Sequence, residues 1–281
     1  MQAVELTDVM DFIIRNADSD AVCLPEAPVF PDALTARVEE ILAIAEAEIG
    51  EPVNLDYYKC SRARFCTLLA MAMTSLSPGA SLLDIGNAPG YLAIILKHAG
   101  FKVTGINLSD EWNATYPSPA CLTDFNVRPC DIEKEALPFP DQSFDGIVFT
   151  EVLEHIAIKH PKDILPEFAR VLRPGGAIIF STPNICNISN VAALLKGMNI
   201  FWDSDIFYGS TDRHNREYTP KEVLAAFEAA QFQTTSYFGM NDHANWRSAS
   251  ALDTYAFLAA HPGHSHALLR NTIIGVFSKP A

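Results

Sequence analysis

The chain has 281 residues, 49% of them apolar and 19% charged, and a formal net charge of −14. This length suits one large domain or two small ones, and the composition is that of a folded chain and not of a disordered or collagen-like one. An acidic field with no basic patch argues against a nucleic-acid partner. No apolar run reaches the roughly 18 residues needed to cross a bilayer, and residues 1–20 set Arg15 among acids and amides where an export leader has a basic end and an apolar block. A protein kept in the cytoplasm is expected, and its cysteines, with no C-x-x-C pair, are expected to be buried thiols.

The first 78 residues read as helix with breaks. Thr7 is placed to cap a helix through Ile14, and Ala21 to Phe30, with Pro25 and Pro28, reads as a strap. Leu34, Val38, Ile41, Leu42, Ala45 and Ile49 repeat at the spacing of one helical face from Pro31 to Ile49, and Gly50 with Pro52 stops it. A further helix is expected from about Asp56 to Ser75, ending at Pro78-Gly79.

From Ala80 the period changes. Strand-like runs (81–85, 102–106, 126–130, 144–149, 177–181) alternate with helical stretches (91–98, 161–172, 220–230), the pattern of a parallel sheet covered by helices. Phe232 to Phe238 and Thr272 to Ser278 read as two more strands, the last returning antiparallel. The expected architecture is a doubly wound α/β domain over 79–281, with a mostly parallel seven-stranded sheet. A helical extension covers 1–78, and an aromatic, lid-like insertion spans 184–212.

The strongest local signal is Leu82-Leu83-Asp84-Ile85-Gly86-Asn87-Ala88-Pro89-Gly90-Tyr91, a buried strand entering a small-residue turn and then a helix. In an open α/β sheet such a turn lies where ligands collect, and small residues let the backbone approach them. The spacing is not the G-x-G-x-x-G of a dinucleotide site. More pieces follow in order: Val103-Thr104-Gly105-Ile106-Asn107-Leu108-Ser109; Cys130-Asp131-Ile132 with Leu137-Pro138-Phe139-Pro140-Asp141-Gln142-Ser143-Phe144-Asp145; Glu151-Val152-Leu153-Glu154-His155; and Leu172-Arg173-Pro174-Gly175-Gly176.

Together these resemble the ordered motifs of the class I S-adenosylmethionine-dependent methyltransferases, a Rossmann-like superfamily, with Ala88-Pro89 replacing the middle of the family's D-x-G-x-G-x-G. The resemblance covers about residues 79–183 closely and 214–238 loosely. It implies S-adenosylmethionine as cofactor and S-adenosylhomocysteine as product. It also implies a cofactor site of Asp84, Gly86, Asn87, Ala88, Gly90, Asn107, Leu108, Asp131, Ile132 and Glu151. Asn107 stands where the family has a ribose-binding acid, which implies weaker affinity. Asp131 and Ile132 fall where the family meets adenine.

For chemistry, His155 and His214 are the candidate bases, since an imidazole titrates near neutrality. His155 serves equally well as a partner for a nearby carbonyl, and Glu151 and Glu154 as solvated helix-start acids. Arg216 and Thr219 have the alternatives of an acid partner and a helix cap before Pro220. Tyr58, Arg64, Trp202, Tyr208 and Arg216 are the candidate acceptor contacts. No metal site is expected: Glu151 and Glu154 lack further ligands, and His261, His264 and His266 flank a Pro262-Gly263 loop.

The expected reaction is methyl transfer to a hydroxyl, or less readily to nitrogen or carbon, of a small-molecule or carbohydrate-like acceptor. Rivals are a protein or RNA methyltransferase, a metal-dependent O-methyltransferase, and a degenerate fold used for binding. The oligomeric state is left open.

Overall fold

The structure, a computed structural model, describes residues 24–52, 54–108, 126–201, 203–209, 213–241 and 266–281. The expected first helix, Trp202, His261 and His264 lie outside these residues. Two helices open the described chain: α1 (Asp32–Ile49) and α2 (Leu55–Ser75). Gly50, at φ 68°, closes α1, and the Asn54 side chain caps α2 by accepting from the Tyr57 N–H at 3.0 Å.

Seven strands follow: β1 (Ser81–Ile85), β2 (Lys102–Asn107), β3 (Asn126–Pro129), β4 (Phe144–Thr150), β5 (Leu172–Pro183), β6 (Gln233–Met240) and β7 (Thr272–Ser278). They lie in the order β3-β2-β1-β4-β5-β7-β6, parallel from β3 to β5, with β7 antiparallel to both β5 and β6. The strand order reverses direction at β1, between β2 and β4, and the carboxyl ends there form the crevice in which such sheets bind ligands. β5 starts earlier than its sequence suggests: Leu172 already pairs with Phe144, and a bulge over 173–176 precedes the regular ladder from Ala177.

Helices α3 (Tyr91–His98), α4 (Pro161–Val171), α5 (Ile188–Leu195), α6 (Ser204–Gly209) and α7 (Pro220–Ala229) complete the fold. The period of two along each strand sends alternate residues to opposite faces. On one face Phe149, Phe180 and Phe277 meet Phe168 of α4 and Phe227 of α7, with Phe227 stacked on Phe277 at 3.7 Å. Each such ring contributes about 1.5–3 kcal/mol by burial. On the other face Val148, Ile179 and Val276 meet Leu42 of α1, Leu68 of α2 and Ile94 of α3. The N-terminal helices are therefore the covering layer of that face. The strap ahead of α1 is anchored as well: Leu24 is buried, and Glu26 bridges to Gly239 of β6.

Candidate active site

The turn from β1 into α3 carries the conformations its small residues permit. Gly86 and Gly90 sit at φ 73° and 93°, in the left-handed region. Asp84 is buried near the end of β1, and its pKa is pushed up to about 7 by desolvation, opposed by the Asn87 amide donating to Oδ2 at 2.8 Å. Asn87 packs where a side chain on Gly105 would stand: a Cβ there would lie 2.8 Å from Asn87 Cγ. Asn107, buried at the end of β2, accepts from the Ala88 N–H at 3.0 Å, so its amide oxygen pins the turn. Leu108 beside it is half exposed.

After β3, Ile132 is buried in the core, whereas Asp131 closes its own turn, accepting from the Glu133 N–H at 3.0 Å and pairing with Lys134 at 2.7 Å. These residues fit the cofactor that the motifs imply. The turn is free of bulky side chains at Gly86, Ala88 and Gly90, and Asn87 Oδ1 is a buried acceptor with no hydrogen-bond partner among the described residues. The acids at the strand ends match a cationic ligand.

Beyond β4 the chain turns through Glu151, at φ 53°, into a short 3-10 turn, Leu153–His155. Glu151 is fixed from two sides: Ser181 Oγ donates to Oε1 at 2.7 Å and Arg64 pairs with Oε2 at 3.2 Å. Glu154 is not the solvated acid its position suggested. It is 1% exposed, Thr182 Oγ1 donates to Oε2 at 2.9 Å, and Oε1 has no hydrogen-bond partner among the described residues. Burial first, and the Glu151 charge second, hold its pKa well above the usual carboxylate range.

The two histidines come together here. The base of the insertion is pinned by an Asn184–Tyr218 bridge and by the Asn184 side chain, which donates to Leu268 O at 2.7 Å and Arg270 O at 2.8 Å. This lays 213–217 along the turn after β4, where the Asn215 and Arg216 N–H groups donate to the Glu154 carbonyl at 2.7 and 3.2 Å. The rings of His155 and His214 then meet edge to face, 5.1 Å between centroids. His155 Nδ1 faces the Arg213 carbonyl at 3.1 Å, and Nε2 lies 3.9 Å from Glu154 Oε1. His214 Nδ1 lies 3.0 Å from Glu217 Oε1. Burial opposes the His214 charge, but Glu217 and then Glu154 raise its pKa above the ordinary value.

The acceptor candidates divide. Arg64 reaches this site through Glu151. Tyr58 does not: it is buried against Tyr91, and its hydroxyl donates to Glu46 at 3.1 Å, joining α2 to α1. Arg216 is turned to Glu222, which also completes a capping box with Thr219 at the start of α7, so the acid-partner and cap alternatives are the ones observed. Tyr208, on α6, is 80% exposed. The sequence reading passed over the roles of Glu154, Ser181, Thr182 and Glu217. Only the E-x-x-E-H spacing signalled Glu154.

Residues 83–180 match the family described as a methyltransferase domain. This is an S-adenosylmethionine-dependent methyltransferase domain. The chain is 27% identical over 205 residues to the ubiquinone biosynthesis O-methyltransferase of Xanthomonas campestris pv. campestris (strain B100), covering 72% of this chain and 77% of the relative. It is 36% identical over 104 residues to an uncharacterized methyltransferase of Mycobacterium avium, covering 37% of this chain and 39% of that one. A SAM-dependent methyltransferase from Archaeoglobus fulgidus has the same fold at a TM-score of 0.54 and 15% identity, over 84% of this chain and 98% of its own. S-adenosylmethionine is the cofactor of this methyltransferase, and among the described residues no helix is long and apolar enough to cross a membrane.

Proposed function

We propose that this methyltransferase moves the methyl group of S-adenosylmethionine to a hydroxyl oxygen of a small molecule, with phenols and carbohydrate-like polyols as the acceptor classes. The observation that carries the reading is the His155–His214 pair beside Glu154, at the end of β4. A hydroxyl is a weak nucleophile until it loses its proton, and an oriented imidazole is the side chain suited to take it near neutral pH. The O-methyltransferase name of the Xanthomonas relative supports oxygen as the methylated atom.

The cofactor, when bound, supplies an activated methyl group on a sulfonium. Its cradle in this reading is the 86–90 turn with Asp84, Asn87 and Asn107, with Leu108, Asp131 and Ile132 toward the adenine end. Glu151, held by Arg64 and Ser181, places negative charge beside it. His155 donates Nδ1–H to the Arg213 carbonyl, which makes Nε2 its basic nitrogen and fixes the ring plane. His214, oriented by Glu217, is the second base. The insertion over 184–212 serves to exclude water. Most of the acceleration in this scheme comes from holding oxygen, methyl carbon and sulfur in line.

Calorimetry with S-adenosylmethionine and S-adenosylhomocysteine, with Asp84→Ala as the control, tests the cradle. Transfer of labelled methyl to a panel of phenols, sugars and amines tests the acceptor. Labelled phenol or sugar ethers, lost in His155→Ala or His214→Ala, are expected; label confined to amines would overturn the hydroxyl reading.

A further inference from the structure

We propose that Glu154, His155 and His214 form a binding site for one divalent transition-metal ion. One ligand atom from each residue lies within 4.8 Å of the others. Ligands about 2.1 Å from a shared ion stand at most about 4.2 Å apart, so the trio closes on an ion with side-chain shifts of well under an ångström each.

The surroundings are those of a ligand set and not of three neighbours by chance. Glu154 is 1% exposed, and its Oε1 has no hydrogen-bond partner among the described residues and lies 3.9 Å from His155 Nε2. A buried carboxylate oxygen without a donor is costly to keep, and a cation satisfies it. Thr182 holds the other oxygen at 2.9 Å. Both imidazoles have Nδ1 engaged by an acceptor: the Arg213 carbonyl at 3.1 Å for His155, and the Glu217 carboxylate at 3.0 Å for His214. Metal-bound histidines are oriented in this way, with one ring nitrogen bonded to a carbonyl or carboxylate and the other turned to the ion. We assign Nε2 as the ligating atom of each.

Two imidazoles and one carboxylate are borderline donors, which favour zinc, cobalt, iron or manganese over magnesium or calcium. Three protein ligands leave positions open for water or an acceptor. The chemical use of the ion rests on the hydroxyl-methylation reading above. A hydroxyl bound to the ion loses its proton to solvent water at a lower pH. The oxygen keeps the electron pair and forms the new bond to the methyl carbon as the carbon–sulfur bond breaks. With the ion bound the histidines serve as its ligands, and the base role given them above is that of the ion-free site.

The test is titration of chelator-stripped full-length protein with Co2+, followed by its visible absorption, and calorimetry with Zn2+. One ion per chain is expected, with affinity lowered by about 10- to 100-fold or more in Glu154→Gln, His155→Ala and His214→Ala, and by a smaller factor in Glu217→Gln. An unchanged thermal midpoint and unchanged S-adenosylhomocysteine binding in His214→Ala would separate loss of the site from loss of the fold. Absence of the cobalt spectrum, or equal affinity in wild type and in the His155→Ala/His214→Ala double variant, would overturn the site. Co2+ binding by a protein that methylates no hydroxyl would uphold the site and fell the hydroxyl reading. Hydroxyl methylation unaffected by chelator in a protein that binds no Co2+ would do the reverse.

Discussion

Arg64 of α2 pairs with Glu151 beyond β4 at 3.2 Å, joining the N-terminal helical layer to the carboxyl edge of the sheet. Arg64 is 1% exposed, and Ser61 accepts from its Nη2 at 3.0 Å. Replacing it leaves Glu151 next to buried Glu154 without this countercharge. Arg64→Met is therefore expected to lower unfolding free energy by about 3–5 kcal/mol in urea titrations. A loss within 1 kcal/mol would mean that Glu151 is solvated well enough without it.

Gly86 is required by conformation and by space. A Cβ there would stand 2.4 Å from Val152 Cγ2, at φ 73°. Gly86→Ala is expected to destabilise the protein by about 2 kcal/mol or more. Adding Val152→Ala should recover the steric part and leave the backbone part, a coupling that a double-mutant cycle reads directly. Strictly additive effects would show that the contact does not matter.

Asn107 bonds the Ala88 N–H through its amide oxygen. Asp in its place retains that acceptor and adds a charged oxygen for a ribose hydroxyl, exchanging a neutral hydrogen bond for one stronger by about 1 kcal/mol. Asn107→Asp should tighten S-adenosylhomocysteine binding by roughly fivefold in calorimetry. Unchanged or weaker binding would remove Asn107 from the ribose site and leave it as a turn anchor.

Asp84 makes stability depend on pH. Burial raises its folded pKa to about 7 from an ordinary 3.8, so the folded state holds a proton that the unfolded state releases. That contribution is complete below about pH 4 and is lost as pH rises through 7, to a total of up to about 4 kcal/mol. Asp84→Asn should flatten this fall when unfolding is compared at pH 5 and pH 8. Parallel slopes in the two proteins would count against the raised pKa.

Much of this molecule is local and so legible in sequence. The strand–turn–helix at 81–98, the helix cap at Thr219 and the small-residue turn at 86–90 depend on residues a few positions apart, because periodicity, capping and φ preference act over that range. The mostly parallel character of the sheet followed from the alternation of strands and helices, whereas the order of its strands is seen only in the structure.

Burial and side-chain partnership are not local. Glu154 reads as a solvated acid until β5 brings Thr182 against it. His214 meets His155 because the Asn184–Tyr218 bridge and the bonds of the Asn215 and Arg216 N–H groups to the Glu154 carbonyl hold 213–217 beside the turn after β4, and Arg64 meets Glu151 because α2 covers that face. Tyr58 and Arg216, plausible acceptor contacts as residue types, went to Glu46 and Glu222. Sequence by itself determined the fold and the small-residue turn at 86–90, which short-range patterns encode. The tertiary structure alone decided which charges face each other, because desolvation and Coulomb energy depend on distances between segments far apart in the chain.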